Sequence, residues 1–129
     1  MKKINVIPLE SINNIKFGLN REKLRELLGD YKEFKKSKFS KNTSDDFGFC
    51  HVYYNLLNEC EAFEFFGDEI SIFIKDRQVY PSKISEIKHL FDDLKEDDGS
   101  LVSKSKSVGV YASGDNIESI LFGIKDYYK

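Results

Sequence analysis

The chain is short of the residues that staple or metallate small domains. Its 129 residues include two cysteines, Cys50 and Cys60, two histidines, His51 and His89, and no tryptophan. Two cysteines are too few for a disulfide framework, and their spacing matches no zinc site. No apolar run approaches the ~20 residues a membrane-spanning helix needs. The start, Met-Lys-Lys-Ile-Asn-Val-Ile-Pro, has no apolar stretch long enough for a signal peptide. The glycines are scattered and build no phosphate-binding loop. Excess positive charge is also missing. Twenty basic against twenty-two acidic residues leave a net charge of −2, which disfavours general nucleic-acid binding through phosphate neutralisation. The expectation is a cytoplasmic protein without cofactor or metal, and without a membrane anchor.

What is present is a large apolar fraction, 40%, with eleven Phe and seven Tyr supplying all of the aromatics. That content is too high for disorder, and the length suits a single domain over residues 1–129. A helix is predicted over Arg21–Leu28, with Asn20 as N-cap and Gly29 as stop. A second opens at Pro81-Ser82 and carries Ile84, Ile87, Leu90, Phe91 and Leu94 at helical spacing until Gly99. Strands are predicted over 47–54 and 59–66 around the turn Asn55-Leu56-Leu57-Asn58, over 69–75, and over 107–112 and 116–124 around Ser113-Gly114-Asp115. Ile4–Ile7 and Ile15–Phe17 give weaker strand signals. The polar, lysine-rich stretch 31–46 reads as a long loop or flexible arm. The fold class is therefore α+β: an antiparallel sheet of two hairpins plus a connecting strand, with both helices on one face. A faint internal repeat of helix, polar connection and hairpin runs through it, Val52-Tyr53 answering Val110-Tyr111 and Glu61-Ala62-Phe63 answering Glu118-Ser119-Ile120.

Strand alternation sorts the hairpin residues into two faces. If Tyr54 and Glu59 flank the turn, Tyr53 lies opposite Cys60 and His51 opposite Ala62. Cys50, Val52, Tyr54, Glu61, Phe63 and Phe65 then share the aliphatic side that receives the helices. Phe49, His51, Tyr53, Cys60, Ala62 and Glu64 share the other, and Phe73 and Tyr111 are expected beside them. Such a face is either covered by the long loops or an aromatic surface for a partner.

Catalytic motifs are hard to find. Cys50 and His51 are neighbours on a strand and point apart, Cys60 reaches His51 only diagonally, and His89 has no evident partner. Charge is segregated, however. Lys32–Lys41 holds five Lys and one Glu, while Asp92, Asp93, Glu96, Asp97 and Asp98 surround one Lys. The acidic cluster lacks calcium-loop spacing and reads as a solvated helix end able to steer a basic partner.

The segment Ile15-Lys16-Phe17-Gly18, followed by Arg21-Glu22-Lys23-Leu24-Arg25-Glu26-Leu27-Leu28-Gly29, resembles the opening of small bacterial helix-plus-sheet domains. Among these are tandem-repeat inhibitors of the β-lactamase inhibitory protein family, whose sheet presents a concave aromatic face to an enzyme. The size and general character also resemble immunity proteins of contact-dependent and polymorphic toxin systems. The resemblance implies a module that neutralises a toxin or enzyme by direct binding. Its expected contact residues are His51, Tyr53, Glu64, Phe73 and Tyr111 on the sheet, with Asp92, Asp93, Asp97 and Asp98 at the acidic end. The alternatives are a small enzyme or ligand-binding domain with a pocket between sheet and loop, and an RNA-associated protein using the basic arm.

Overall fold

Strand-forming sequence dominates, and the computed structural model, which describes residues 2–129, folds most of it into two sheets. In chain order the elements are β1 (Lys2–Ile7), β2 (Ser11–Ile12), β3 (Ile15–Lys16), α1 (Arg21–Leu28), β4 (Lys32–Phe34), β5 (Ser44–Asp46), β6 (Cys50–Tyr54) and β7 (Cys60–Phe66). They continue with β8 (Ile70–Ile74), β9 (Arg77–Tyr80), α2 (Ile84–Ile87), β10 (Lys95–Asp97), β11 (Ser100–Ser103), β12 (Val108–Ser113) and β13 (Asn116–Gly123). The smaller sheet has the order β3-β2-β1-β8-β9, with β1 and β8 parallel. The larger has the order β10-β11-β12-β13-β7-β6-β5-β4 and is antiparallel throughout.

Both sheets face one hydrophobic core. Ile4, Val6, Ile70, Ile72 and Val79 enter it from the smaller sheet, and Val52, Phe63, Phe65, Val110, Ile120 and Phe122 from the larger. Each helix adds one fully buried side chain, Leu24 from α1 and Ile87 from α2. The α+β class expected from the sequence holds, but the architecture has two sheets. Strand β8 alternates as predicted, Ile70, Ile72 and Ile74 pointing inward. Its edge hydrogen bonds go to β1 and β9, so it never joins the hairpins.

The larger sheet consists of two four-stranded meanders, β4–β7 and β10–β13, joined along β7 and β13. A short helix precedes each and is stitched to the last strand of its meander. In the first, Arg21 N donates to Asn58 O at 2.8 Å and Cys60 N to Leu19 O at 3.0 Å. In the second, Ile84 N donates to Asp115 O at 2.8 Å and Ile117 N to Ser82 O at 3.2 Å.

Several sequence expectations need correction. The 31–46 arm shrinks to residues 35–43, because its ends pair as β4 and β5. The second helix is only α2 and a 3-10 turn over Lys88–Leu90. The chain leaves it where Asp93 accepts hydrogen bonds from Ser103 Oγ at 2.6 Å and Ser105 N at 2.9 Å, tying it to the β11–β12 connection. Strand β6 begins at Cys50, since Gly48 turns with φ +93° and its N–H is held by the Asp46 carboxylate. That turn sends Phe49 to the core side, where it stacks on Phe65. A bulge at Tyr53/Tyr54 shifts the hairpin, so Tyr53 pairs with Ala62 and His51 with Glu64. The extra residue also brings Cys60 onto the core face with Cys50. Both thiols are free.

Candidate binding face

With Val52, Phe63, Phe65 and Phe122 turned into the core, alternation turns His51, Tyr53, Ala62, Glu64, Phe66 and Leu121 to the opposite face of the larger sheet. A second small cluster forms there on Tyr53, Ala62 and Leu121. It is covered by single rings, Phe34 from β4 and Tyr127 and Tyr128 from the segment after β13.

The centre of this face is a group of aromatic and ionisable side chains. Tyr53 Oη donates to Glu64 Oε1 across the hairpin. The His51 ring lies between Phe34 and Phe66, with centroids at 4.6 and 4.7 Å, and its Nε2 is 3.6 Å from Asp46 Oδ2. Lys36 Nζ sits 4.3 Å above the Tyr53 ring. Burial pushes the Tyr53 phenol well above its ordinary range, and the hydrogen bond to Glu64 adds to the effect. Burial also raises Tyr127, with the charges of Tyr128, Glu61 and Glu64 reinforcing it. Tyr128 is pushed up to about 12 by burial and by the Glu64 and Asp97 carboxylates. All three are therefore neutral phenols at physiological pH, able to donate hydrogen bonds.

The structure brings together some of the expected contact residues and separates others. His51, Tyr53 and Glu64 form one group. Tyr53 is nearly buried beneath the arm and the C-terminal rings, whereas Tyr111 on the same face is 52% exposed. Tyr111 pairs with Ser119, which pairs with Phe66. Phe73 is a correction: it belongs to β8 of the smaller sheet, where Lys3 Nζ lies 4.8 Å from its ring centroid. Inward isoleucines on either side of it place Phe73 on that sheet's outer surface.

The acidic residues do not form a helix end. Asp92 is exposed in the turn before β10, and Asp93 is committed to Ser103 and Ser105. Those two bonds pull the Asp93 carboxyl down to about 2. Asp97 ends β10 and Asp98 occupies the tight turn into β11, both exposed.

Sequence reasoning missed Phe34, Tyr127 and Tyr128. A signal existed in the strand glycines, which often mark close approach. A Cβ at Gly109 would meet the Tyr128 hydroxyl, and one at Gly123 would lie 2.8 Å from Tyr127 Cβ. These two glycines make room for the rings that cross the sheet.

For nucleophilic chemistry the arrangement is unfavourable. The sheet separates His51 from both thiols, which lie in the core. Burial raises both, with Asp46 adding to the effect at Cys50, and so disfavours the thiolate. Among the described residues no helix is long and apolar enough to cross a membrane. Comparison with protein-family models, curated proteins and solved structures finds no match.

Proposed function

We propose that the chain is a protein-binding module, an immunity or inhibitor protein that neutralises a toxin or enzyme by direct contact. Its contact surface is the outward face of the larger sheet. Tyr111 carries this reading: a large ring, half-exposed within a paired strand and in line with Phe66. A ring held on a rigid sheet offers contact area at low entropic cost, and a few such residues dominate most interfaces. Glu64 and His51, two and three strands away on the same face, add hydrogen-bonding groups, and Asp97 and Asp98 at the sheet edge favour rapid encounter with a basic partner.

The two meanders support the same reading as copies of one helix-plus-meander repeat. Their helices are stitched to the sheet by equivalent bonds, and each hairpin bulges just before its turn, at Tyr53/Tyr54 and Tyr111/Ala112. Pairing two copies along β7 and β13 doubles the width of face available to a partner.

Affinity capture with the full chain, followed by hydroxyl-radical footprinting of the purified complex, tests the placement. Tyr111 should lose reactivity on binding, while Tyr31, exposed beside α1, should keep it. Protection of Tyr31 with Tyr111 unchanged would move the interface to the helix side.

A further inference from the structure

We infer that the groove between the 35–43 arm and the β6–β7 turn receives an acidic, extended segment of the partner. This inference rests on the protein-binding reading and names the chemistry of one part of that partner. The groove encloses about 650 Å³, with Tyr53 and Tyr127 among its walls. Lys36, Lys41 and Lys129 line it against a single carboxylate, Glu61. Among the described residues none of these lysines forms an ion pair, although the chain carries more acids than bases. Cations without a carboxylate partner around a concave surface are a complement for carboxylates.

The frame of the groove is fixed. Asn42 Nδ2 donates to Asn55 O at 2.8 Å and to Asn58 Oδ1 at 2.9 Å, joining the arm to the turn. Arg21 holds the same corner through Asn42, Thr43 and Asn58. The arm and turn also carry exposed apolar side chains, Phe39 at 81% and Leu56 at 69%. The fitting occupant thus alternates acidic with apolar residues. Tyr53 belongs both to the groove and to the proposed contact face, so one partner can engage both.

The test is fluorescence anisotropy with the full chain and a short labelled peptide rich in glutamate and leucine. The glutamine version, oligouridylate, and phosphatidylserine-containing vesicles are run in parallel. The glutamate peptide should bind, and its affinity should fall about tenfold or more from low to high salt. Lys36→Glu with Lys41→Glu should abolish saturable binding, and Lys36→Gln with Lys41→Gln should weaken it by about fivefold or more. Lys104→Glu with Lys106→Glu, on the other half of the molecule, should leave it unchanged. All these lysines are exposed, and thermal unfolding checks that the variants fold. Equal binding of the glutamine peptide, indifference to the Lys36/Lys41 changes, or binding confined to oligouridylate or vesicles would overturn the inference. If the peptide fails while Tyr111→Ala still weakens a captured partner, the groove assignment falls alone. If the peptide binds and Tyr111→Ala has no effect, the sheet-face reading falls.

Discussion

The two meanders of the larger sheet share a frame but differ in what lies between helix and sheet. In the first, Arg21 and Arg25 of α1 both fork onto Asp45 of β5, at 2.8 to 3.3 Å, and Tyr54 Oη donates to the same carboxylate at 2.9 Å. Asp45 is fully buried. In the second, Ile84 of α2 and Leu101 of β11 pack against the hydrophobic core. A buried carboxylate is costly unless its lone pairs are used, and here every oxygen has partners. The polar half also carries the long arm, while the apolar half turns in two residues, Asp98-Gly99. Arg21 bonds Asn42, Thr43 and Asn58 in addition to Asp45. The ionic network positions a loop, a task that hydrocarbon packing performs poorly. Buried ion pairs in general add less to stability than to definition of geometry.

The largest expected effect breaks this contrast at its centre. Asp45→Ala leaves the Arg21 guanidinium buried without its counter-charge and should cost about 3–5 kcal/mol in denaturant unfolding. A loss below about 1 kcal/mol would mean the network contributes little to either half. Leu24→Ala and Ile87→Ala compare the two helices directly, and each should cost about 2–5 kcal/mol, as for large-to-small core changes. Leu90 is only partly buried, so Leu90→Ala should cost less than Ile87→Ala.

Acid titration sharpens the same comparison. Burial by itself would raise the Asp45 carboxyl, but hydrogen bonds from Arg25, Arg21 and Tyr54 outweigh it and hold the group below 3.8. A carboxyl lowered on folding stabilises the native state above its unfolded pKa, and that stabilisation disappears as pH falls through the folded value. Wild-type stability should therefore drop below about pH 4. Asp45→Ala should show a shallower drop, having lost its share already. Parallel curves would show that Asp45 is not the group being protonated.

Smaller still is the expected effect of Gly109→Ala. Its new methyl group should displace the Tyr128 ring, costing about 1 kcal/mol and making the C-terminal segment more sensitive to protease. Unchanged stability and protease resistance would contradict the ring's placement.

These contrasts show what the sequence made legible. Helix α1 could be read residue by residue: Asn20 Oδ1 accepts from Glu22 N at 2.9 Å, and Gly29 closes the helix at φ +90°. The smaller sheet was harder, because two of its turns carry no glycine. Asn13-Asn14 and Lys75-Asp76 take positive φ at both positions and make tight hairpins without the usual Gly signal. At Asp98-Gly99 the signal was present. It was absorbed into an apparent helix because Phe91 and Leu94 continued the helical spacing by coincidence. Asp45 sits in the polar run Ser44-Asp45-Asp46, and only the approach of α1 distinguishes the buried carboxylate from its half-buried neighbour. That His51, Tyr53, Glu64 and Tyr111 share the outward face of the larger sheet was legible through strand parity alone. Parity could not place Phe73, because alternation assigns a face within a sheet and does not say to which sheet a strand belongs.

The placement of Tyr111 and Phe73 gives the most direct test of the central claim. Each is replaced by alanine in the full chain, and binding to the captured, purified partner is measured by surface plasmon resonance. Tyr111→Ala should weaken binding by more than about 1 kcal/mol, roughly fivefold or more, through faster dissociation. Phe73→Ala, on the outer surface of the other sheet, should leave the affinity unchanged. The reverse pattern, with Phe73→Ala weakening the complex and Tyr111→Ala silent, would contradict the account and put the interface on the smaller sheet.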